Sequence, residues 1–300
     1  MNEYPESFVC GSVAIIGRPN VGKSTFLNHS VGQKISITSR KPQTTRHQIL
    51  GIKTLDKAQI VYVDTPGFQI KPDRALNRLM NREVMRAAFD VDLVLFMVEA
   101  GMWTEADENT LQLLKKSGTK TILLINKIDK IKDKKKLLPY IKNITDRMNF
   151  VEVIPLAALK GDNIPVVEEA ITKNLPPSDP WFSADQVTDR SVRFLTAEMI
   201  REKLTRKLGE ELPYRLNVTI EQFREDEKII HIYATIWVET KGQKKIVIGH
   251  KGSVLKSIGR EARHEIQKMV DRQVFLETWV KVKEKWSDNI NALNQFGLNP

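Results

Sequence analysis

The sequence predicts an α/β protein: a doubly wound, mostly parallel sheet followed by a smaller α+β domain. Three observations predict it. Up to residue 175, short β-rich runs alternate with helical patterns, which requires a parallel sheet with helices on both faces. One run, Val94-Leu-Phe-Met-Val98, is continuously apolar, as a strand buried on both faces is. Finally, Pro176, Pro177 and Pro180 interrupt both helix and strand periods, and the order of elements changes after them.

In the first part, strands are predicted over 12–16, 58–63, 92–98, 121–125 and 151–155. Helical patterns start near Lys23, Leu76, Glu105, Lys134 and Val166. Beyond the prolines, 190–208 reads as a helix. Stretches 215–223 and 229–238 read as antiparallel strands about the polar turn Arg224-Glu-Asp-Glu-Lys228. Two helical pieces, 254–258 and 261–270, precede a last strand over 274–282. Trp237 and Trp279 fall in strand patterns and are expected in the core. The predicted division is a first domain over 1–175, a linker over 176–190, a second domain over 191–286 and a tail over 287–300.

Composition excludes several classes. With 300 residues, 41% of them hydrophobic, the chain can bury the cores of two domains, so wholesale disorder is excluded. The longest apolar stretch, near 91–98, is short and carries Asp92, whereas a membrane-spanning helix needs about 20 apolar residues. The first ten residues carry acids and no basic region, unlike a secretory signal. Cys10 is the only cysteine, so neither an internal disulfide nor a Cys-only zinc site is possible, and a reduced, cytosolic compartment is expected. A net charge of +10 points to a polyanion, either nucleic acid or an anionic membrane surface.

The most specific motif is Gly17-Arg18-Pro19-Asn20-Val21-Gly22-Lys23-Ser24. It fits Gly-x4-Gly-Lys-Ser/Thr, follows an apolar strand and opens a helix at Thr25. Glycines let the backbone wrap phosphate oxygens, and the helix dipole faces the anion. Lys23 supplies a point charge on the outer phosphates, and the Ser24 hydroxyl is a Mg²⁺ ligand.

Further stations identify the nucleotide. Asp64-Thr65-Pro66-Gly67 ends a second strand, where a carboxylate supports the Mg²⁺ shell and Gly67 offers a backbone N–H to the terminal phosphate. Asn126-Lys127-Ile128-Asp129 ends another. The Asp129 carboxylate can accept from the N1–H and 2-amino edge of guanine, which adenine does not present, so GTP is selected over ATP. The Lys127 stem packs over the base. Between residues 32 and 49, a Thr can close the Mg²⁺ shell when the γ-phosphate is present; Thr45 is favoured over Thr44. Ala157-Ala158, after the fifth predicted strand, offers backbone to the guanine.

In the second part, Ile248 leads into Gly249-His250-Lys251-Gly252 and a helical segment. A Gly-x-x-Gly loop clamps the backbone of about four nucleotides of single-stranded RNA. Six basic residues, Lys241, Lys244, Lys245, Lys251, Lys256 and Arg260, surround it with no acid between 241 and 260. The element order resembles the prokaryotic, type II, KH domain.

Taken together, Gly17–Ser24, Thr44–Thr45, Asp64–Gly67, Asn126–Asp129 and this tail resemble the Era family of translation-factor-like small GTPases over essentially the whole chain. The resemblance implies a GTP-hydrolysing switch that binds the 3′ end of 16S rRNA and acts in small-subunit maturation. It also implies a cytoplasmic protein with loose peripheral association with the inner membrane. The family usually has Ser-Ala where this chain has Ala157-Ala158, but the Ala158 N–H is retained. In Ras-like proteins a water-orienting Gln follows the Gly of Asp-x-x-Gly. Here that place is Phe68, and Gln69 comes one residue later, so intrinsic hydrolysis is expected to be slow. In GTPases resembling this one, an Asn at the place of Asn20 can help hold K⁺ beside the phosphates; the alternative is that Asn20 only caps the loop.

Two rival readings are weaker. A GTPase assisting tRNA modification would carry an added catalytic cysteine or folate-type domain. A membrane-surface switch would pair the basic cluster with an amphipathic Trp/Leu face. A monomer is the default expectation.

Overall fold

The computed structural model describes residues 7–39, 41, 44–68, 74–133, 135, 137–209 and 212–298. The first sheet has six strands, β1 (Val9–Ile16), β2 (Ile49–Leu55), β3 (Ala58–Asp64), β4 (Leu93–Glu99), β5 (Thr121–Asn126) and β6 (Val153–Pro155), in the order β2-β3-β1-β4-β5-β6. Every pair is parallel except β2–β3. Successive β1 side chains enter opposite cores. Val13 and Ile15 pack with α1 (Lys23–Val31) and α5 (Ile164–Thr172). Ala14 and Ile16 pack with α2 (Ala75–Phe89), α3 (Glu105–Ser117) and α4 (Leu137–Thr145). All seven residues of β3 are buried, hence its lack of alternation.

Sequence reading missed β2. Its lysine and central glycine weaken the strand pattern. The glycine has a packing reason: a Cβ on Gly51 would stand 2.5 Å from Leu27 Cδ1. β2 lies at the edge and pairs antiparallel with β3 through a tight turn.

The second sheet orders β7 (Leu216–Glu225), β8 (Ile229–Val238) and β9 (Gln273–Val282) in sequence, with β7–β8 antiparallel and β8–β9 parallel. Its core joins the sheet to α6 (Val192–Lys207), α7 (Lys241–Ile248) and α8 (Ser253–Val270) through Ile200, Leu204, Val247, Ile258 and Ile266.

One helix was missed and two expectations are corrected here. The apolar run 246–248 is the end of helix α7, nucleated by a capping box between Thr240 and Gln243. The two helical pieces are one helix, α8, which continues through Gly259. Trp279 is 41% exposed, on the outer sheet face, with its ring stacked 5.8 Å from Tyr233, and Trp237 is only half-buried. Helices cover one face of this sheet, and the alternation of β9 turns Trp279 to the other.

After β9, α9 (Ile290–Gln295) returns to the first domain, where Trp286, Leu293 and Leu298 pack with Leu76 and Met80 of α2. Among the described residues no helix is long and apolar enough to cross a membrane.

Candidate functional site

The C-terminal ends of β1, β3 and β5 and the loop after β6 converge on one cavity of about 780 Å³, as open α/β sheets place their ligands. Gly17 leaves β1 so close to β4 that a Cβ would sit 2.3 Å from the Met97 carbonyl oxygen. Asn20 (φ 65°) and Gly22 (φ 113°) then turn the chain into α1. At Gly22 a Cβ would stand 2.2 Å from Asn126 Nδ2, so this turn needs glycine for space as well as for conformation.

Lys23 is buried, and its Nζ donates to the Gly17 and Arg18 carbonyls at 2.9 and 3.1 Å. Burial pushes its pKa down to about 8, against the pull of Asp64. Ser24 Oγ lies 2.9 Å from Thr45 Oγ1 and 3.0 Å from Asp64 Oδ2, which also accepts from Ser36 Oγ at 2.8 Å. Among the described residues Asp64 Oδ1 is buried without a hydrogen-bond partner. Burial raises the Asp64 pKa, opposed by Lys23 and by the Ser36 and Ser24 hydroxyls. Two hydroxyls and an under-satisfied carboxylate beside a buried ammonium form a hard-oxygen donor set that fits a Mg²⁺–nucleotide. The Thr44 hydroxyl does not join this cluster: its Oγ1 donates to the Lys41 carbonyl at 2.7 Å.

Thr65 Oγ1 donates to the Ile15 carbonyl at 2.8 Å, which ties the end of β3 to β1. Gly67 passes so close to the cradle that a Cβ would approach Pro19 to 2.6 Å. Phe68 is partly buried against the apolar core beneath. Gln69 lies outside the described residues.

Asn126 is only 2% exposed and links three loops. Its Nδ2 donates to the Val21 carbonyl at 2.7 Å, while its Oδ1 accepts from Lys127 N at 2.7 Å and Ala158 N at 2.9 Å. Lys127, at φ 66°, reaches back to Glu99 Oε2 at 2.7 Å, which Arg18 Nη2 also meets at 3.1 Å. Asp129, in the single turn Ile128–Lys130, lines the far end of the cavity with Lys127 and Leu159.

The chain is identified by comparison as well as geometry. A family model described as 50S ribosome-binding GTPase matches residues 12–127, and a KH domain model matches 211–287. GTPase Era of Marinobacter nauticus is 52% identical over 297 residues, covering 99% of this chain and 97% of that one. The chain belongs to the Era family of GTPases. GTPase Era of Pseudomonas aeruginosa is 49% identical over 296 residues, covering 99% and 97% of the two chains. A crystal structure of Era in complex with MgGDPNP and nucleotides 1506–1542 of 16S ribosomal RNA superposes with a TM-score of 0.94 at 38% identity, covering 98% of this chain and all of that one. As an Era-family member, the chain is a GTPase with a KH domain.

In that KH domain, Gly249 (φ 74°), Lys251 (φ 48°) and Gly252 (φ 76°) make a sharp turn between α7 and α8. A Cβ on Gly249 would strike Val254 Cγ2 at 2.4 Å, whereas Gly252 has open space around it. His250, Lys251, Lys256 and Arg260 are exposed. Lys241, Lys244, Lys245 and Ile248 line a depression of about 610 Å³ together with Trp237 and Lys281. Sequence reading missed Thr38 and Arg206, which also line the nucleotide cavity. No local motif marks them, because Arg206 comes from the second domain.

Proposed function

We propose that this GTPase is a switch whose GTP-bound form captures the 3′ end of 16S rRNA in small-subunit maturation. The observation that carries this reading is one chain holding two constellations: a Lys23–Ser24–Asp64–Thr45 cluster in a nucleotide-sized cavity, and a Gly249–Gly252 turn amid lysines. The likeness to an Era that binds both MgGDPNP and a 16S rRNA fragment supports it.

In this reading Gly17–Thr25 cradle the phosphates and Lys23 neutralises their outer charge. Ser24 and Thr45 would hold Mg²⁺, with Asp64 in support, and the bound ion would stabilise charge on the β- and γ-phosphate oxygens. Gly67 gives its N–H to the γ-phosphate. Asp129 selects guanine, while Asn126 fixes the loops that carry Lys127 and Ala158. Phe68 has no group to orient water; K⁺ held beside Asn20 would instead add positive charge where the transition state needs it. Lys244, Lys245, Lys251, Lys256 and Arg260 meet RNA phosphates, with Ile248 beneath the bases. The protein works as a cytoplasmic monomer, and its basic surface also supports weak peripheral association with anionic membrane. Domain boundaries are placed at 175 and 191.

The test is binding of a 16S 3′-end oligonucleotide to the GTP-analogue, GDP and empty forms. The expected result is about tenfold tighter binding with the GTP analogue, and loss of binding in Lys251→Glu with GTP hydrolysis kept. Binding no better than to a scrambled RNA would overturn the reading. Lys251 is a better probe than Gly249, where any side chain collides with Val254.

A further inference from the structure

The loop between α1 and β2 carries Thr45, and its Lys34, Thr38 and Thr44 are met by side chains of the second domain. We propose that helix α6 is part of the GTPase machinery, with Glu202 and Arg206 as positioning residues for the loop that presents Thr45.

The contacts converge on Thr38. Glu202 is fully buried, and its Oε1 accepts from Thr38 N at 2.8 Å and Thr38 Oγ1 at 3.3 Å. Its Oε2 takes Lys34 Nζ at 2.5 Å. One turn later, Arg206 donates from Nε to the Thr38 carbonyl at 3.0 Å and from Nη2 to Thr38 Oγ1 at 2.9 Å. The same Nη2 lies 2.9 Å from Glu202 Oε1, closing the ring. All three polar groups of Thr38 are therefore held by two side chains of α6.

Two more described residues of the loop, Lys41 and Thr44, are held from the same side. Lys41 Nζ reaches the carbonyls just beyond α6, at Leu208 and Gly209. Arg201, oriented by a two-bond pair with Glu198, donates to the carbonyl of Thr44, the residue before Thr45. Thr38, Thr44, Thr45 and Arg206 all line the nucleotide cavity.

Packing alone does not account for this arrangement. A fully buried carboxylate loses its hydration, and an apolar residue could fill the same space without that loss. Charge-assisted, two-point bonds instead specify one loop geometry. Since a catalytic group displaced by about 1 Å can cost 10²-fold in rate, a grip on the Thr45 loop acts on the reaction.

The test uses the full-length protein and follows GTP hydrolysis against Mg²⁺ concentration, with thermal unfolding in parallel. Arg206→Ala is expected to raise the Mg²⁺ concentration for half-maximal rate at least about threefold and to lower kcat about tenfold. KM for GTP should stay within about twofold, because the phosphate cradle and the guanine end are untouched. Glu202→Gln, which keeps an acceptor for Thr38 N but loses the Lys34 pair, should shift Mg²⁺ dependence in the same direction by less. Arg206→Lys should not rescue Arg206→Ala, since one ammonium cannot reproduce the fork. Should Arg206→Ala unfold at the assay temperature, Arg206→Lys is read by the same criterion. An unchanged Mg²⁺ half-saturation overturns the proposal, whatever happens to melting temperature or kcat.

Discussion

Replacing Asn126 with alanine tests how the nucleotide site is assembled. The side chain makes three hydrogen bonds of 2.7–2.9 Å, to Val21 in the cradle, Lys127 in the guanine loop and Ala158 in the loop after β6. Each neutral bond is worth about 1 kcal/mol net. Their loss also strands the buried Ala158 N–H, which donates to Asn126 Oδ1. The three bonds alone sum to about 3 kcal/mol, or roughly 100-fold if all of it is felt in binding. Part will instead appear as lost stability. We therefore expect Asn126→Ala to weaken GTP and GDP alike by about 10- to 100-fold, with unfolding free energy falling by the remainder. Asn126→Asp should do worse, because it sets an acceptor against the Val21 carbonyl. Titration with a fluorescent GDP analogue measures the first quantity, and urea unfolding the second. If affinity stays within about twofold and stability within about 0.5 kcal/mol, three loops joined by one buried amide is the wrong picture.

Two other predictions concern the phosphate end. Burial lowers the Lys23 pKa from 10.5 to about 8, so the empty protein sheds this proton above that pH, while bound phosphates favour its return. GTP affinity should fall about tenfold between pH 8 and 9.5, with proton uptake visible calorimetrically in buffers of different ionisation enthalpy; a flat profile refutes the shift. The unfolded chain keeps that proton to 10.5, so the free protein should gain stability between those pH values, the opposite sign. For Asn20, hydrolysis is expected to run faster in KCl than in NaCl at equal ionic strength. Equal rates would leave Asn20 as a turn residue and nothing more.

The candidate nucleotide stations could be picked out because each is a short, contiguous stretch whose residue types are dictated locally. Gly22 admits a left-handed turn, Lys23 opens a helix, and Asp64 and Asn126 end apolar strands. Legibility failed where local preference was weak or silent about direction. Strand β2 was hidden by a glycine that its close packing against Leu27, Val31 and Ile35 explains. Helix α7 was hidden by three apolar residues that suit a strand equally well. Trp279 was correctly read as a strand residue, but alternation alone does not say which face of a sheet is covered.

The sequence by itself therefore determined the alternating order of the first domain apart from β2, the candidate phosphate and guanine stations and the Gly-x-x-Gly turn. Only the tertiary structure decided that Thr45, not Thr44, meets Ser24, and that Arg206 stands at the nucleotide cavity. Thr38 and Arg206 are 168 residues apart, and no spacing rule links them. Their contact exists because Leu195, at the start of α6, joins the core of the first domain, and that packing carries the helix along the Thr45 loop. Backbone propensity acts over a few residues, whereas burial and charge pairing act through space.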